Sequence, residues 1–324
     1  MPCAATEPVP ANRQPESSET MKKFLFKRAI SSAISLTLLI VAVFFLSRLT
    51  GDPTDLYLPI DASQEARDNF RAVHGLDRPL IVQFGNYVWD ILHLDFGDSI
   101  RRARPALEVV LEAFKWTLQL ALITMTLVSV AAITLGSLAA FNVGGFFDRV
   151  ATFFSLIGAA APDFWVAIVA IVFFSLTLGW VPTSGTGTAA HWVLPIAVLF
   201  IRPFGLILQV VRGSMITALS SAYVKTARAK GVTPKKQIFV HALRNAMLPV
   251  ITVIGDQAAA LLNGAVVIET IFGFPGVGKL MIDSILQRDF SVILAAIMVT
   301  AIAIFIMNIL IDLAYAVLDP RIRY

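Results

Sequence analysis

The segment with the most obvious potential for chemistry is Gly273-Phe-Pro-Gly-Val-Gly278-Lys279-Leu280, which falls one residue short of a phosphate-binding loop. Such a loop continues GxxxxGK with Ser or Thr, whose hydroxyl reaches Mg²⁺, and Leu280 stands in that place. A buried β-strand would also precede a true loop, whereas here an apolar block of membrane-spanning length comes first. We therefore predict no nucleotide site in this chain.

Metal and nucleophilic chemistry find equally little support. The histidines show no HxxxH-type spacing for a metal ion; they are His74, His93, His191 and His241. Cys3 is the only cysteine, so no intrachain disulfide can form. No Ser/His/Asp or Cys/His set is indicated by the local sequence. The sequence predicts a protein that is not an enzyme, with no catalytic residue, no metal site and no cofactor bound by this chain.

The composition indicates what class of protein this is. Of 324 residues, 57% are hydrophobic and 15% are charged, and the mean hydropathy is +0.76. A soluble domain of this length carries about 25% charged residues. The apolar residues also come in blocks that reach the roughly 20 residues needed to cross a hydrocarbon core. We therefore predict an all-α, polytopic membrane protein.

Six apolar blocks are long enough to span a bilayer, and they lie roughly at 29–47, 116–141, 150–178, 192–211, 246–268 and 292–318. The first is longer than the apolar part of a secretory signal and lacks a small-residue cleavage site, so we interpret it as an uncleaved span. The third contains Pro162-Asp163. We interpret this block as one kinked helix. Two short re-entrant segments are the alternative, and they would reverse the orientation of every later span across the membrane.

The distribution of basic residues predicts the orientation. A dense basic run lies between residues 212 and 244, while the short loop 179–191 has no Lys or Arg. This positive-inside pattern places both termini in the cytoplasm. The loop 48–115 is basic too, but long loops translocate largely regardless of their charge. The basic pI of about 9.3 is then explained by topology, without a nucleic-acid partner.

The remaining segments lie outside the membrane. Residues 1–20 are rich in Pro, Ser and Glu, and we expect a disordered extension before a transmembrane domain at 21–324. The long extracytoplasmic segment 48–115 is punctuated by Pro, Gly and Asp, which predicts short helices capping the outer mouth.

The inner segment 213–245 is the most informative of them. Basic and small residues alternate up to Lys230, Gly231 suits a helix C-terminus, and Thr233-Pro234 suits the start of a second helix. We predict a helix, a sharp turn and another helix. The first helix is either a docking surface for an acidic or headgroup partner or an ordinary amphipathic surface helix.

Polar residues inside the apolar blocks are candidates for function, because they are costly in lipid. They are Gln119, Asp163, Arg202, Gln209, Asp256, Gln257, Asn263, Asn308 and Asp312. Hydrogen bonding between helices is the commoner role for any one of them. Asp256 and Asn263 are seven residues apart and share a helix face. We predict that the fifth span lines a translocation path, with Arg202, Asp256, Asn263 and Glu269 as its candidate residues.

Two stretches of the inner segment resemble a known family. Tyr223-Val-Lys-Thr-Ala-Arg-Ala-Lys-Gly231 and His241-Ala-Leu-Arg-Asn-Ala-Met-Leu-Pro249 are similar to the ATPase-docking loop of ABC importer permeases of the dipeptide/oligopeptide/nickel type. The general loop has Glu-Ala-Ala followed four residues later by Gly. This chain lacks the Glu and has Arg244 where the general form has Pro, and both departures are typical of the peptide-type subfamily.

The resemblance extends over nearly the whole chain from Met21. Its further motifs are Gly51-Asp-Pro53, Gly75-Leu-Asp-Arg-Pro-Leu80, Pro162-Asp-Phe-Trp165, Gly264-Ala-Val-Val-Ile-Glu-Thr-Ile-Phe272, Pro275-Gly-Val-Gly278 and Asp319-Pro-Arg-Ile-Arg323. Gln209 departs from an Arg that is frequent in relatives, and Arg202-Pro203 lies within the fourth span. We therefore expect a pore lining that differs from that of better-known members of the family.

The resemblance implies a permease with an ABC type I importer-like fold in the bacterial plasma (inner) membrane. It implies half of a path for short peptides or a similar small solute, in partnership with a second homologous permease, two cytoplasmic ABC ATPase subunits and an extracytoplasmic substrate-binding protein. ATP-driven closure of the ATPases would drive alternating access. The residues that would pass on this motion are Tyr223, Lys225, Thr226, Ala227, Arg228, Ala229, Lys230 and Gly231.

The alternative is a self-sufficient channel or secondary transporter. Secondary transporters often show internal repeats, and none is visible here. The extended inner helix–turn–helix would also have no role in a lone channel. In the family that this chain resembles, the binding protein selects the solute, so peptides, nickel complexes and glutathione all stay open.

Overall fold

The computed structural model describes residues 61–318 apart from 74 and 100, together with residues 30–31, 34–42, 44–45, 54 and 58. The predicted disordered extension 1–20 lies outside the described residues. Within the described part the chain is mostly helical, and the only β-type pairing there is an isolated bridge between Asp98 and Pro105. The all-α prediction is confirmed for that part.

The helices between residues 61 and 318 are α1 (Gln64–Val73), α2 (Leu80–Leu92), α3 (Ala106–Phe141), α4 (Phe146–Ala160), α5 (Asp163–Ala170), α6 (Ala190–Ser220), α7 (Ala222–Ala229), α8 (Leu243–Gly264), α9 (Val266–Ile271), α10 (Val277–Gln287) and α11 (Phe290–Leu318). A π-helical stretch, Ile171–Thr177, continues α5. A short helix, Pro234–Lys236, and a π-helical stretch, Gln237–Ala242, lead into α8.

Four helices are long and apolar enough to cross a membrane: α3, α6, the continuous helix Pro234–Leu262 that includes most of α8, and the segment Phe290–Ala314 of α11. The pair formed by α4 and the helix that follows it, Asp163–Thr177, would make a fifth. The described residues of the first predicted span are helical, but that block is not described in full.

The third predicted span is broken rather than kinked. Its two helices meet at 102°. Ala161 and Pro162 both adopt an extended backbone, with ψ of 131° and 127°. A residue before proline is disfavoured in helical geometry, and Pro162 itself has no N–H with which to continue α4. The chain therefore stops α4 at Ala160 and starts α5 anew.

This pair contacts α6 at two levels. At the start of α4, Asp148 contacts Arg212; beyond the break, Asp163 lies 3.9 Å from Arg202. Arg202 and Arg212 are about 15 Å apart along α6 at 1.5 Å per residue. A bend of 102° is typical of either a broken span or a re-entrant loop.

The core is organised around α6, which packs against α3, α4 and α8, while α8 also packs against α11. Ile207 and Leu208 of α6 are completely buried, as is Leu120 of α3. A Cβ atom at Gly205 would lie 2.3 Å from the carbonyl oxygen of Ser155, so the backbones of α4 and α6 are in direct contact. Glycine makes this approach possible, and it is a common device where helices pack in lipid.

Candidate functional site

The predicted helix–turn–helix of the inner segment is present, at the end of the bundle that we call the lower end. Only Ser221 separates α6 from α7, and its extended backbone sets the corner. Val224 and Ala227 face the rest of the chain and are 1% and 8% exposed. The other residues predicted for the ATPase contact are exposed: Tyr223, Lys225, Thr226, Arg228, Ala229, Lys230 and Gly231.

Ala227 is the exception among the predicted coupling residues. It lies three residues after Val224, on the same face of α7, and that face packs against α6 and the π-helical stretch Gln237–Ala242. Its small side chain allows close packing within this chain. A bulky residue at this position would disturb the fold of the segment before it disturbed any docking.

The turn after α7 has the predicted geometry. Gly231 has φ of +76°, and its N–H donates to the Arg228 carbonyl over 3.0 Å. This left-handed conformation is favourable for glycine and strained for other residues. Thr233 is the N-cap residue and Pro234 the first position of the next helix, as predicted. The turn therefore holds the two helices in a defined relation.

Gln237 is a structural residue that sequence reasoning missed. It is 4% exposed; its Nε2 donates to the Val232 carbonyl over 2.6 Å, and its Oε1 accepts from Arg228 Nε over 3.3 Å. It thereby ties α7 to the helix that follows. In the sequence it is one more polar residue after Pro-Lys-Lys, and only the π-helical turn directs it inward.

The outer surface of this segment combines positive charge with apolar side chains. The sequence between 213 and 245 contains no Asp or Glu. Tyr223, Phe239 and Val240 are 42%, 40% and 59% exposed. A surface of this kind is complementary to an acidic protein surface that also offers apolar contacts.

The opposite, upper end of the bundle carries α9 and α10 and a buried carboxylate, Glu269, which is 0% exposed. Its Oε1 accepts from Thr117 Oγ1 over 2.6 Å. Its Oε2 accepts from the backbone N–H groups of Gly278 and Lys279 over 2.8 and 3.1 Å. A carboxylate at this place stabilises the first turn of α10, whose N–H groups have no helical partner.

These contacts explain why Gly273–Leu280 cannot act as a phosphate-binding loop. The N–H of Val277 donates to Thr117 Oγ1 over 2.8 Å, and the next two N–H groups bind Glu269. The amides that would cradle a phosphate are therefore occupied by the chain itself. A Cβ atom at Gly276 would lie 2.1 Å from Glu269 Oε1, so this glycine leaves room for the carboxylate.

Glu269 lies after the apolar segment Pro234–Leu262, and its surroundings determine its protonation state. Burial raises the pKa of Glu269, and the hydrogen bonds from Thr117, Lys279 and Gly278 act in the opposite direction without cancelling it. The folded chain therefore holds this proton at pH values where an unfolded chain, with a glutamate pKa of about 4.3, has released it.

This difference predicts a pH dependence of stability. The contribution of Glu269 is fully present below the unfolded pKa and is lost as the pH rises through the raised folded pKa. We expect the Tm of the purified protein to fall as the pH rises from the unfolded to the folded pKa of Glu269. The variant Glu269→Gln should lack this part of the pH dependence of Tm. Thermal unfolding of both proteins from pH 4 to 8 is the measurement. The same slope in both would contradict the assignment.

The three predicted path residues whose side chains the structure describes do not form one cluster. Arg202 is exposed and faces Asp163 of its own chain, Asp256 is exposed on α8, and Glu269 is enclosed at the upper end. The side chain of Asn263 lies outside the described part. Arg202, Asp256 and Glu269 share no hydrogen bond or ion pair, and the path assignment stays a prediction.

An ion pair between a half-buried arginine and a buried aspartate joins α4 to α6 near the lower end. Arg212 binds both oxygens of Asp148, with 2.8 Å between Nη2 and Oδ2, and the Gly144 N–H donates to the same Oδ2 over 2.8 Å. The Asp148 side chain is 4% exposed. We had interpreted Arg212 only as part of the basic run that sets topology. Its partner lies 64 residues away, and no local pattern connects them.

The fold is a bundle of apolar helices of membrane-spanning length, with a basic, acid-free loop at one end, and this defines a polytopic helical membrane protein. Comparison with known proteins identifies the class more closely. Residues 132–324 match the family described as binding-protein-dependent transport system inner membrane component. The chain belongs to this family, and it is the permease subunit of an ABC importer in the inner membrane.

Curated relatives cover almost the whole chain. A probable peptide ABC transporter permease protein of Sinorhizobium fredii is 36% identical over 313 residues, 94% of this chain and 100% of that protein. The oligopeptide transport system permease protein AppB of Bacillus subtilis is 35% identical, with 94% and 100% covered. The dipeptide transport system permease protein DppB of Escherichia coli is 35% identical, with 94% and 99% covered.

Solved structures support the fold. The inward-facing MetNI methionine ABC transporter matches with a TM-score of 0.57 at 14% identity, over 65% of this chain and 96% of that chain. An amino acid ABC transporter with histidines matches with a TM-score of 0.51 at 15% identity, over 64% and 94%. The predicted ABC importer permease fold is confirmed at this level.

Proposed function

We propose that this chain forms half of the translocation path for short peptides or a chemically similar small solute. The observation that carries the proposal is its similarity, along 94% of its length, to proteins named as peptide, oligopeptide and dipeptide permeases. A second homologous permease supplies the other half. Two cytoplasmic ABC ATPase subunits drive transport, and an extracytoplasmic binding protein delivers the solute.

We further propose six spans with both termini in the cytoplasm. The contacts Asp148–Arg212 and Asp163–Arg202, at two levels of α6, support one interrupted span in the third block. The acid-free basic loop and the Glu269 cluster lie at opposite ends of the bundle, and the positive-inside rule places the loop in the cytoplasm. The upper end, with α9 and α10, is then extracytoplasmic.

In this proposal α7 acts as the lever between the ATPases and the spans. It follows α6 with only Ser221 between them, and its buried face is packed against the chain. A movement imposed on α7 is therefore passed to α6, a helix of 31 residues and about 46 Å. The ion pair Asp148–Arg212 joins that movement to α4.

Reconstitution in vesicles tests the function. We expect uptake of labelled di- and oligopeptides only when both permeases, both ATPases, the binding protein and ATP are present. Uptake by this chain alone, without ATPases, would contradict the proposal and favour a self-sufficient channel or secondary transporter. ATP-driven uptake of another solute class would support the assignment as an ABC importer permease, and it would contradict peptides as the transported solute.

The charge of α7 gives a separate prediction. Lys225 and Lys230 are exposed, and we expect Lys225→Glu with Lys230→Glu to lower ATPase affinity by at least about tenfold, since like charges across an interface cost more than the 1.4 kcal/mol that this factor represents. Co-purification and titration of the ATPases measure the effect.

The matched control replaces the same two lysines with Gln. It should show a smaller loss, and the loss from the glutamate variant should shrink with added salt. Unchanged affinity in the glutamate variant, with normal membrane insertion, would exclude α7 as the charged contact.

A further inference from the structure

The helix α2 carries a surface that the transport proposal does not use. One of its faces packs against the first predicted span: the ring of Phe84 lies 5.2 Å from that of Phe44, and the ring of Tyr87 lies 5.3 Å from it. Ile91, on the same face, is 6% exposed. This face is held by protein, so the helix has a defined orientation against the first predicted span.

A second face of α2 is apolar and uncovered. Ile81, Trp89 and Leu92 are 79%, 64% and 72% exposed, and their spacing places them with Val82 and Gly85 on one stripe. Burying a large apolar side chain is worth about 1.5–3 kcal/mol, so such a stripe is unfavourable in water. We therefore expect lipid or a partner protein to cover this stripe.

A third face is polar and exposed, with Asn86 and Asp90 at its centre. The helix therefore has a protein face, an apolar face and an aqueous face side by side. The apolar stripe contains no charged residue, and Trp89 lies on the side of the stripe that faces Asn86. Tryptophan is enriched where a membrane meets water, and a helix with adjacent apolar and polar faces suits that boundary.

The position of α2 along the chain is consistent with the boundary between membrane and water. Phe44 lies near the end of the first predicted span, 29–47. Seven residues after α2, Ser99 Oγ donates to Asp289 Oδ2 over 2.5 Å, just before α11 begins. The chain then enters α3 at Ala106. Because α2 contacts the first predicted span near its end, and the chain that follows α2 reaches the starts of α11 and α3, we place α2 at the level where a bilayer ends.

We infer that α2 is an interfacial helix, with the stripe of Ile81, Val82, Gly85, Trp89 and Leu92 in the lipid leaflet at the upper end of the bundle and with Asn86 and Asp90 in water. The occupant of the stripe is the bilayer and not a partner protein. The helix would anchor the long segment 48–115 beside the mouth of the path. The inference rests on geometry and composition and not on the transported solute.

A pair of neighbouring positions tests this inference. A Cβ atom at Gly85 would have nothing within 4 Å, so a label fits there, and Asn86 is one residue and about 100° further round the helix. Cys3 is the only native cysteine, so Cys3→Ser is the background for Gly85→Cys and Asn86→Cys. Each is labelled with a nitroxide in the assembled transporter, in vesicles of phosphatidylethanolamine and phosphatidylglycerol.

Electron paramagnetic resonance then compares collisions with oxygen, which partitions into lipid, and with a water-soluble nickel chelate. We expect the label at Gly85 to collide mainly with oxygen and the label at Asn86 mainly with nickel. Equal nickel access at both positions would overturn the inference. So would a Gly85 label shielded from both reagents in the assembled transporter, which would assign the stripe to a partner protein. None of these readouts depends on transport, so a failed peptide proposal would leave them unaffected.

Discussion

Replacing Arg212 with Met is expected to lower the free energy of unfolding by about 3 kcal/mol, because it leaves the carboxylate of Asp148 buried without its cation. The figure lies at the lower end for a broken buried pair, since the Gly144 N–H still donates to Asp148 Oδ2. We also expect transport to fall while ATPase binding persists, because α4 would no longer follow α6. Denaturation in detergent and uptake in vesicles measure the two effects.

The double variant Asp148→Asn with Arg212→Met is the control. It removes both charges, so it should recover part of the stability that the single variant loses, and the double-mutant cycle then isolates the pair. A loss below about 1 kcal/mol in the single variant would instead be typical of an exposed surface pair. That result would contradict a buried clamp between α4 and α6.

Replacing Glu269 with Ala should lower the free energy of unfolding by a comparable amount. It leaves the Thr117 hydroxyl and two backbone N–H groups of α10 without their acceptor, at about 1–3 kcal/mol for each buried group. A cavity of about 50 Å³ adjoins the carboxylate, so water entering the variant would reduce the total to about 3–5 kcal/mol. Hydrogen exchange of the α10 amides should rise selectively, since this loss is local before it is global.

Two variants sharpen this result. Glu269→Gln keeps the shape but has one acceptor oxygen, so it can serve either the amides of α10 or Thr117 and should lose less than Ala. Gly276→Ala keeps the glutamate at position 269 but directs a methyl group at its carboxylate. It should therefore also raise the hydrogen exchange of the α10 amides. Unchanged amide protection in all three would show that Glu269 does not hold the N-terminus of α10.

Local features of this protein were predictable from the sequence. The apolar blocks are long enough to identify spans, since crossing a hydrocarbon core requires a continuous apolar stretch. The turn at Gly231 and the helix start at Thr233-Pro234 were also predictable, because each depends on backbone preferences of one or two residues. The motifs of the inner segment identified the family through their order along the chain.

Features that depend on packing were not predictable in this way. Pro162 indicated a kink, but the 102° bend depends on how α4 and α5 each fit against α6. The resemblance places Ala227 among the coupling residues, and its inward direction follows from the packing of α7 against α6 and the π-helical stretch Gln237–Ala242. Gln237 gave no signal, since a π-helical turn decides which way it points.

Span length, charge bias and turn residues are local properties, so the residues alone were enough to predict a helical membrane protein with a basic loop, and the resemblance of its motifs added the permease family. The contacts of its buried polar residues depend on tertiary packing. Leu280 and the missing strand argued against a phosphate-binding loop, and the fold showed why: Glu269 occupies its amides, together with Thr117, 152 residues away. Asp148 and Arg212 likewise meet across 64 residues. Such pairs form because a buried charge must find a partner, and which partner it finds depends on how the helices pack.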